Sequence, residues 1–144
     1  MEFLIEPLQL EFYEQIIALW RQTSGLCVSA SDSREGLQSY LERNANCSFM
    51  ALSPDRRTLW GTLQAGHDRR SGYFYHLAVA GTERRRGIGS ALVAAATEAL
   101  RQQGLTYIHL LVETDNPEAV GFWRRIGFDR RDDLVVLSRH LPPE

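Results

Sequence analysis

The sequence predicts an α/β (α+β) fold: one domain over residues 1–144, with a mixed, mostly antiparallel central sheet and helices on both faces. Three observations predict it. Segments 47–53, 58–68 and 73–80 are apolar runs joined by the short turns SPDRR and RRSG, the pattern of an antiparallel meander. Segment 73–80 is followed by a long helical stretch, 87–104, and a further apolar strand, 105–113, and such a β-α-β crossover joins parallel strands. The whole order, β-α-α-β-β-β-α-β-α-β, puts a parallel pair beside a meander and leaves helices to cover both sides.

Each element has its own local reason. FLIEPL (3–8) alternates like a short strand and stops at Pro7. In 10–23, Leu10, Tyr13, Ile16, Ile17 and Trp20 fall on one helical stripe, and Tyr13 and Trp20 read as core. GLCVSASDS (25–33) is a loop, from which Asp32 or Ser33 can cap the helix 34–45. Pro54 suits the second position of the turn after strand 47–53. Gly104 closes the helix 87–104. NPEAVGFWRRIGF (116–128) is a helix with Asn116 as N-cap and Pro117 at its first position. DLVVLSRHL (133–141) reads as a last strand.

Composition narrows the function. A net charge of -2 argues against a general nucleic-acid binder and makes any basic patch local. The N-terminal residues carry neither a basic segment nor a long apolar run, so no signal peptide and no membrane span are expected. Cys27 and Cys47 lie too far apart for a paired metal motif, so no metal site is expected and a reducing, cytoplasmic setting is. All 16 basic residues are arginine. The chain therefore has no lysine to serve as a Schiff base or a phosphate-loop cation.

One loop stands out: GTERRRGIGS (81–90), three arginines running into Gly-Ile-Gly at the mouth of a helix. A helix start carries unpaired N–H groups and the positive end of the dipole. Gly87 and Gly89 let an anion approach the backbone, and Arg84, Arg85 and Arg86 add charge. A P-loop is excluded for want of lysine. The dinucleotide fingerprint fails at Leu92, where its third glycine belongs. From the residues alone, a phosphate ligand and a plain solvated loop both remain open.

The segment HLAVAGTERRRGIGSALVAAATEAL resembles the acetyl-CoA segment of the GNAT superfamily of N-acetyltransferases, whose loop reads Arg/Gln-x-x-Gly-x-Gly/Ala; Arg84, Gly87 and Gly89 match it. NPEAVGFWRRIGF resembles that family's second motif, with Asn116, Ala119, Phe122, Gly127 and Phe128 in place. The resemblance covers residues 55–140 well and the N-terminal third by element order. It implies acetyl-CoA as co-substrate. The backbone of Arg85, Arg86, Gly87, Ile88, Gly89 and Ser90 would hold the pyrophosphate, and Leu77, Ala78 and Val79 the pantetheine arm. Asn116, Phe122 and Trp123 would line the thioester end. It further implies an amine acceptor, either a small molecule or a protein N-terminus or lysine, with homodimers common in the family.

The implied chemistry is direct attack of an amine on the thioester, with the Val79 N–H as a candidate oxyanion donor. Two departures matter. Trp123 stands where many relatives carry a tyrosine that protonates the leaving thiolate. A thiol of pKa near 8.5 leaves as thiolate at pH 7 for only about 2 kcal/mol, so that loss is tolerable. Tyr73 stands where some relatives carry a glutamate base. Deprotonating an alkylammonium at pH 7 costs about 4.6 kcal/mol, so a base matters more than an acid. Tyr73 and Tyr75 share parity with Leu77 and are candidates to hold a water; His76 has the opposite parity and reads as packed or surface. Glu113 is a candidate acid or base, or a surface carboxylate. Asp32 is a candidate to bind the acceptor ammonium, or a cap. With both familiar proton-transfer residues replaced, an acyl-CoA-binding regulatory module without turnover is the alternative.

Overall fold

The computed structural model describes residues 2–143. The chain divides into two compact units, Met1–Leu111 and Val112–Glu144.

The first unit holds a five-stranded sheet in the order β1 (Leu4–Pro7), β2 (Phe49–Leu52), β3 (Leu59–His67), β4 (Gly72–Val79), β5 (Ile108–His109). All neighbours are antiparallel except β4 and β5, which are parallel and joined through the helix α3 (Ile88–Gln102). The mixed, mostly antiparallel sheet read from the sequence is therefore present, crossover included. A 3-10 turn, Leu10–Phe12, leads into α1 (Tyr13–Gln22), and a second, Ala30–Asp32, precedes α2 (Arg34–Arg43).

Two glycines of β3 show that both faces are covered. A Cβ at Gly61 would meet the Ile88 side chain of α3 at 3.0 Å, whereas one at Gly66 would meet the Tyr40 hydroxyl of α2 at 2.6 Å. The two positions have opposite parity, so α3 packs on one face and α2 on the other. Ile16, Trp20, Leu37, Met50 and Leu52 are fully buried between α1, α2 and the sheet. Each such side chain contributes about 1.5–3 kcal/mol as an upper figure for area removed from water.

The pairing of β3 with β4 slips once. Gln64 faces Tyr75 and Thr62 faces Ala78, so β4 carries one residue more than β3 across this stretch. His76 lies within it, with φ of +53°, in the left-handed region. This β-bulge overturns the expected parity. Tyr75 meets Tyr40 of α2, His76 meets Trp20 of α1, and Ala78 joins the core beneath α1. Tyr73 and Tyr75 thus share a face with His76 and Ala78, and Leu77 is the one left out.

Two expected strands are corrected. Of segment 105–113, only Ile108–His109 pairs, opposite Gly72 and Tyr73. A bulge bends and twists its strand, so β4 beyond residue 75 no longer offers a straight edge to a parallel neighbour. In the second unit, segment 133–141 forms no strand, and Leu134, Val135, Val136, Leu137 and Leu141 are exposed. Alternation expresses fit to a half-buried surface, and this segment has no ladder partner among the described residues.

The second unit contains α4 (Pro117–Arg125). As expected, Asn116 caps it, its side-chain oxygen accepting from the Ala119 N–H at 3.1 Å, and Pro117 opens it. No helix among the described residues is long and apolar enough to cross a membrane.

Candidate functional site

The arginine-glycine loop is built by backbone first. β4 ends at Val79, and the Ala80 N–H bonds the Trp60 carbonyl at 2.8 Å, anchoring the exit. A 3-10 turn, Gly81–Glu83, follows. Arg85 and Gly87 both have positive φ, +68° and +82°, so the chain turns sharply into α3. Ile88 is almost fully buried and pins the loop to the sheet at Gly61. The first intrahelical bond runs from the Ala91 N–H to the Gly87 carbonyl at 3.0 Å. The N–H groups of Ile88, Gly89 and Ser90 precede it, and they are the group that a helix start presents to an anion. A Cβ on Gly87 would meet nothing within 4 Å, so the space over the turn is open. The arrangement fits a phosphate held by backbone.

The three arginines have different tasks. Arg84 donates to the Val79 carbonyl at 3.5 Å. Arg86 lies over the Trp60 ring at 5.6 Å and 3.2 Å from Glu83. Arg85 is exposed on the turn itself. Two of the three therefore brace the loop, a role that the charge run alone does not reveal. Leu77 and Val79 are half-buried and Ala78 buried, in the strand that feeds this loop.

A polar cluster lies beside the same strand. Asp32 is 4% exposed. It does not cap α2; that is Ser33, whose hydroxyl accepts from the Gly36 N–H at 3.0 Å. Asp32 closes a capping box of its own, with Oδ2 accepting from the Ser29 N–H at 2.9 Å. Its Oδ1 lies 3.0 Å from Nε2 of His76. The Tyr13 hydroxyl donates to the Asp32 carbonyl at 2.7 Å, and Arg34 covers the Tyr13 ring. The Trp20 ring lies 4.5 Å from that of His76, and its N–H bonds the Thr62 hydroxyl at 2.8 Å. Thr62 in turn donates to the His76 carbonyl at 3.1 Å.

The remaining candidates fall as follows. Tyr73 is half-buried with its ring 5.7 Å from His109, and Tyr75 is exposed. Tyr40, against Tyr75, has its phenol pushed well up by burial first, then by the charges of Tyr75 and Cys47. In the second unit, Glu113 is exposed and its carbonyl accepts from the Asn116 N–H at 3.1 Å. Trp123 is buried, each ring of Phe122 and Phe128 edge-on to it at 5.1 Å. The Asp32–His76 contact is what sequence reasoning missed. The pair is separated by 44 positions. Only the Ser29-x-x-Asp32 spacing of a capping box hinted that Asp32 has a fixed place.

Known proteins share the family profile and the fold. The profile of the acetyltransferase (GNAT) family matches residues 13–128. Among solved structures, the chain is similar to PaiA N-acetyltransferase from Thermoplasma acidophilum in complex with coenzyme A, at 20% identity and TM-score 0.79, covering 92% of each chain. It is similar to the aminoglycoside N-acetyltransferase AAC(6')-Iy in complex with CoA, at 14% identity and TM-score 0.78, covering 98% of this chain and 97% of that one. It also resembles a chain of the NatC complex bound to Gag peptide and CoA, at 23% identity and TM-score 0.74, covering 92% and 87%.

Proposed function

Because this chain belongs to the acetyltransferase (GNAT) family, we propose that it acts as a single domain moving an acetyl group from acetyl-CoA to a primary amine. The observation that carries the reading is the left-handed turn at Gly87, which opens the first N–H groups of α3 beside three arginines. Backbone N–H groups would take the pyrophosphate, and Arg84 and Arg86 would keep the loop in shape for it. The strand residues Leu77, Ala78 and Val79 are the group to hold the arm, as edge backbone that points the thioester along β4. Acetyl-CoA supplies the acyl group as a thioester. The chain's part is to place it, to polarise its carbonyl and to handle the proton of the amine.

The family and its solved members support an amine acceptor. AAC(6')-Iy is an aminoglycoside acetyltransferase, and NatC is bound to a peptide. Both bring amines, and this chain has a buried carboxylate, Asp32, amid Tyr13, Trp20 and His76.

Isothermal titration with acetyl-CoA is the first test, and no heat at millimolar ligand sinks the reading. The second is thiol release in the presence of kanamycin, spermidine or a tripeptide amide. Turnover with any of them establishes transfer; binding without turnover points to an acyl-CoA-binding regulatory module.

A further inference from the structure

We infer that His76, positioned by Asp32, is the group that takes the proton from the attacking amine. The inference rests on the acetyl-transfer reading and deepens it, because Tyr73 stands where the expected base is missing.

The first support is that several neighbours hold this side chain and its backbone in place. His76 lies in the one-residue excess of β4 and adopts a φ of +53°. A non-glycine residue in that region persists when its surroundings over-determine it, and such positions gather at functional sites. Here three neighbours do so. Thr62 holds the carbonyl, Trp20 packs the ring, and Asp32 takes Nε2. The same slip bends β4 beyond residue 75 away from β5, so the ring is placed where the strand edge opens.

The second support is the direction of the hydrogen bond. An ionised carboxylate only accepts. Asp32 is fixed by the Ser29 N–H and faces Nε2, so the neutral imidazole carries its hydrogen there. Nδ1 is then the bare nitrogen with a lone pair to receive a proton. Asp32 also steadies the imidazolium once it forms, as carboxylate partners of histidine bases do. An imidazole nitrogen with a free lone pair is a side-chain group suited to take a proton. The His76 side chain keeps 19% of its surface exposed, so it is not sealed in the core.

The third support is location. Leu77, Ala78 and Val79 follow His76 directly and lead into the anion-binding loop. Tyr75, exposed, lies on the same face of the sheet. Base, strand and loop thus share one continuous stretch of backbone.

The step balances as follows. The acceptor ammonium gives one proton to Nδ1 of His76. The freed nitrogen lone pair forms the N–C bond to the acetyl carbon, and the C–S bond breaks with its electron pair going to sulfur. The second nitrogen proton passes to the thiolate through solvent, and the imidazolium returns its proton to water. Asp32 touches no reacting atom and is a positioning residue.

Three measurements test this together. Nitrogen-15 spectra of the wild-type ring should show hydrogen on Nε2 and none on Nδ1; hydrogen on Nδ1 overturns the inference. In His76→Asn, whose side chain tolerates the left-handed backbone, and in Asp32→Asn, kcat should fall at least about a hundredfold while acetyl-CoA affinity stays unchanged. The asparagine at 32 would donate to Nε2 and move the ring hydrogen to Nδ1. The acceptor is whichever of kanamycin, spermidine or the tripeptide amide the wild type uses. Free imidazoles should restore turnover to His76→Gly in order of their basicity. Restoration independent of basicity, or a kcat within threefold of wild type in His76→Asn, assigns the histidine to structure and overturns the inference alone. Absence of wild-type turnover overturns the acetyl-transfer reading and the inference together. Should the variants not fold, hydrogen on Nδ1 in the wild-type ring would still overturn the inference.

Discussion

The indole N–H of Trp20 donates to the hydroxyl of Thr62 at 2.8 Å, deep in the core where both side chains are fully buried. Thr62 then donates to the carbonyl of the bulged residue, His76. One hydroxyl therefore satisfies two groups and joins α1 to both middle strands. Thr62→Val keeps the shape but strands the indole N–H and the carbonyl, at a cost of about 1–3 kcal/mol for buried groups left unpaired. Chemical denaturation should show that loss, with Thr62→Ser close to wild type. A stable Thr62→Val variant would mean that water or a rearranged strand serves those groups.

Gly87 tests backbone against charge in the loop. Its φ is +82°, and a Cβ there meets nothing, so Gly87→Ala suffers only the left-handed penalty of about 1–2 kcal/mol. The variant should fold, melt a few degrees lower and bind acetyl-CoA more weakly. Gly89→Glu should abolish binding without unfolding the chain. Calorimetric titration beside a thermal melt measures both, and unchanged affinity in Gly89→Glu tells against the loop as the pyrophosphate seat.

Alkaline pH should destabilise the protein. Burial pushes the Cys47 thiol above its ordinary 9.0, with a Gln103 hydrogen bond partly offsetting it, and raises the Tyr40 phenol above 10.0. Groups whose pKa is raised by folding stabilise below the unfolded value and lose that contribution above it, because the unfolded chain sheds the proton first. Stability should hold to about pH 9 and fall beyond it, and Tyr40→Phe should flatten the fall between about pH 10 and 11. Denaturant titrations across this range check the sign, and an identical fall in Tyr40→Phe would clear Tyr40 of any part in it.

The two thiols should differ in reactivity. Cys27 is exposed and Cys47 fully buried. Iodoacetamide at neutral pH should add one group per folded chain, at Cys27, and two after unfolding. Mass spectrometry reads the count, and rapid double labelling of folded protein would contradict the packing.

Local signals were legible and tertiary ones were not. Asn116-Pro117 and the Gly104 stop are capping chemistry written in adjacent residues, and both are realised. The crossover was legible because helical and strand periods differ. The bulge at His76 was not, since nothing in GYFYHLAV marks an extra residue; contacts from Trp20, Asp32 and Thr62, 14 to 56 positions away, hold it. That one slip also reversed the faces assigned to the site residues. Segments 105–113 and 133–141 were over-read for a related reason, because apolar alternation states a propensity and cannot name a partner. The loop's anion seat was visible in its glycines, whereas the bracing by Arg84 and Arg86 depended on Val79, Trp60 and Glu83.

The extra residue in β4 has a genetic consequence. Removing the single codon for His76 would let Leu63 face Leu77 while Gln64 still faces Tyr75 and Thr62 still faces Ala78. An in-frame deletion, ordinarily the most disruptive lesion inside a strand, would here leave a more regular ladder than the parent gene encodes. Alleles of that kind would keep the ladder but leave the buried Asp32 carboxylate without its imidazole partner and the Trp20 ring without its neighbour.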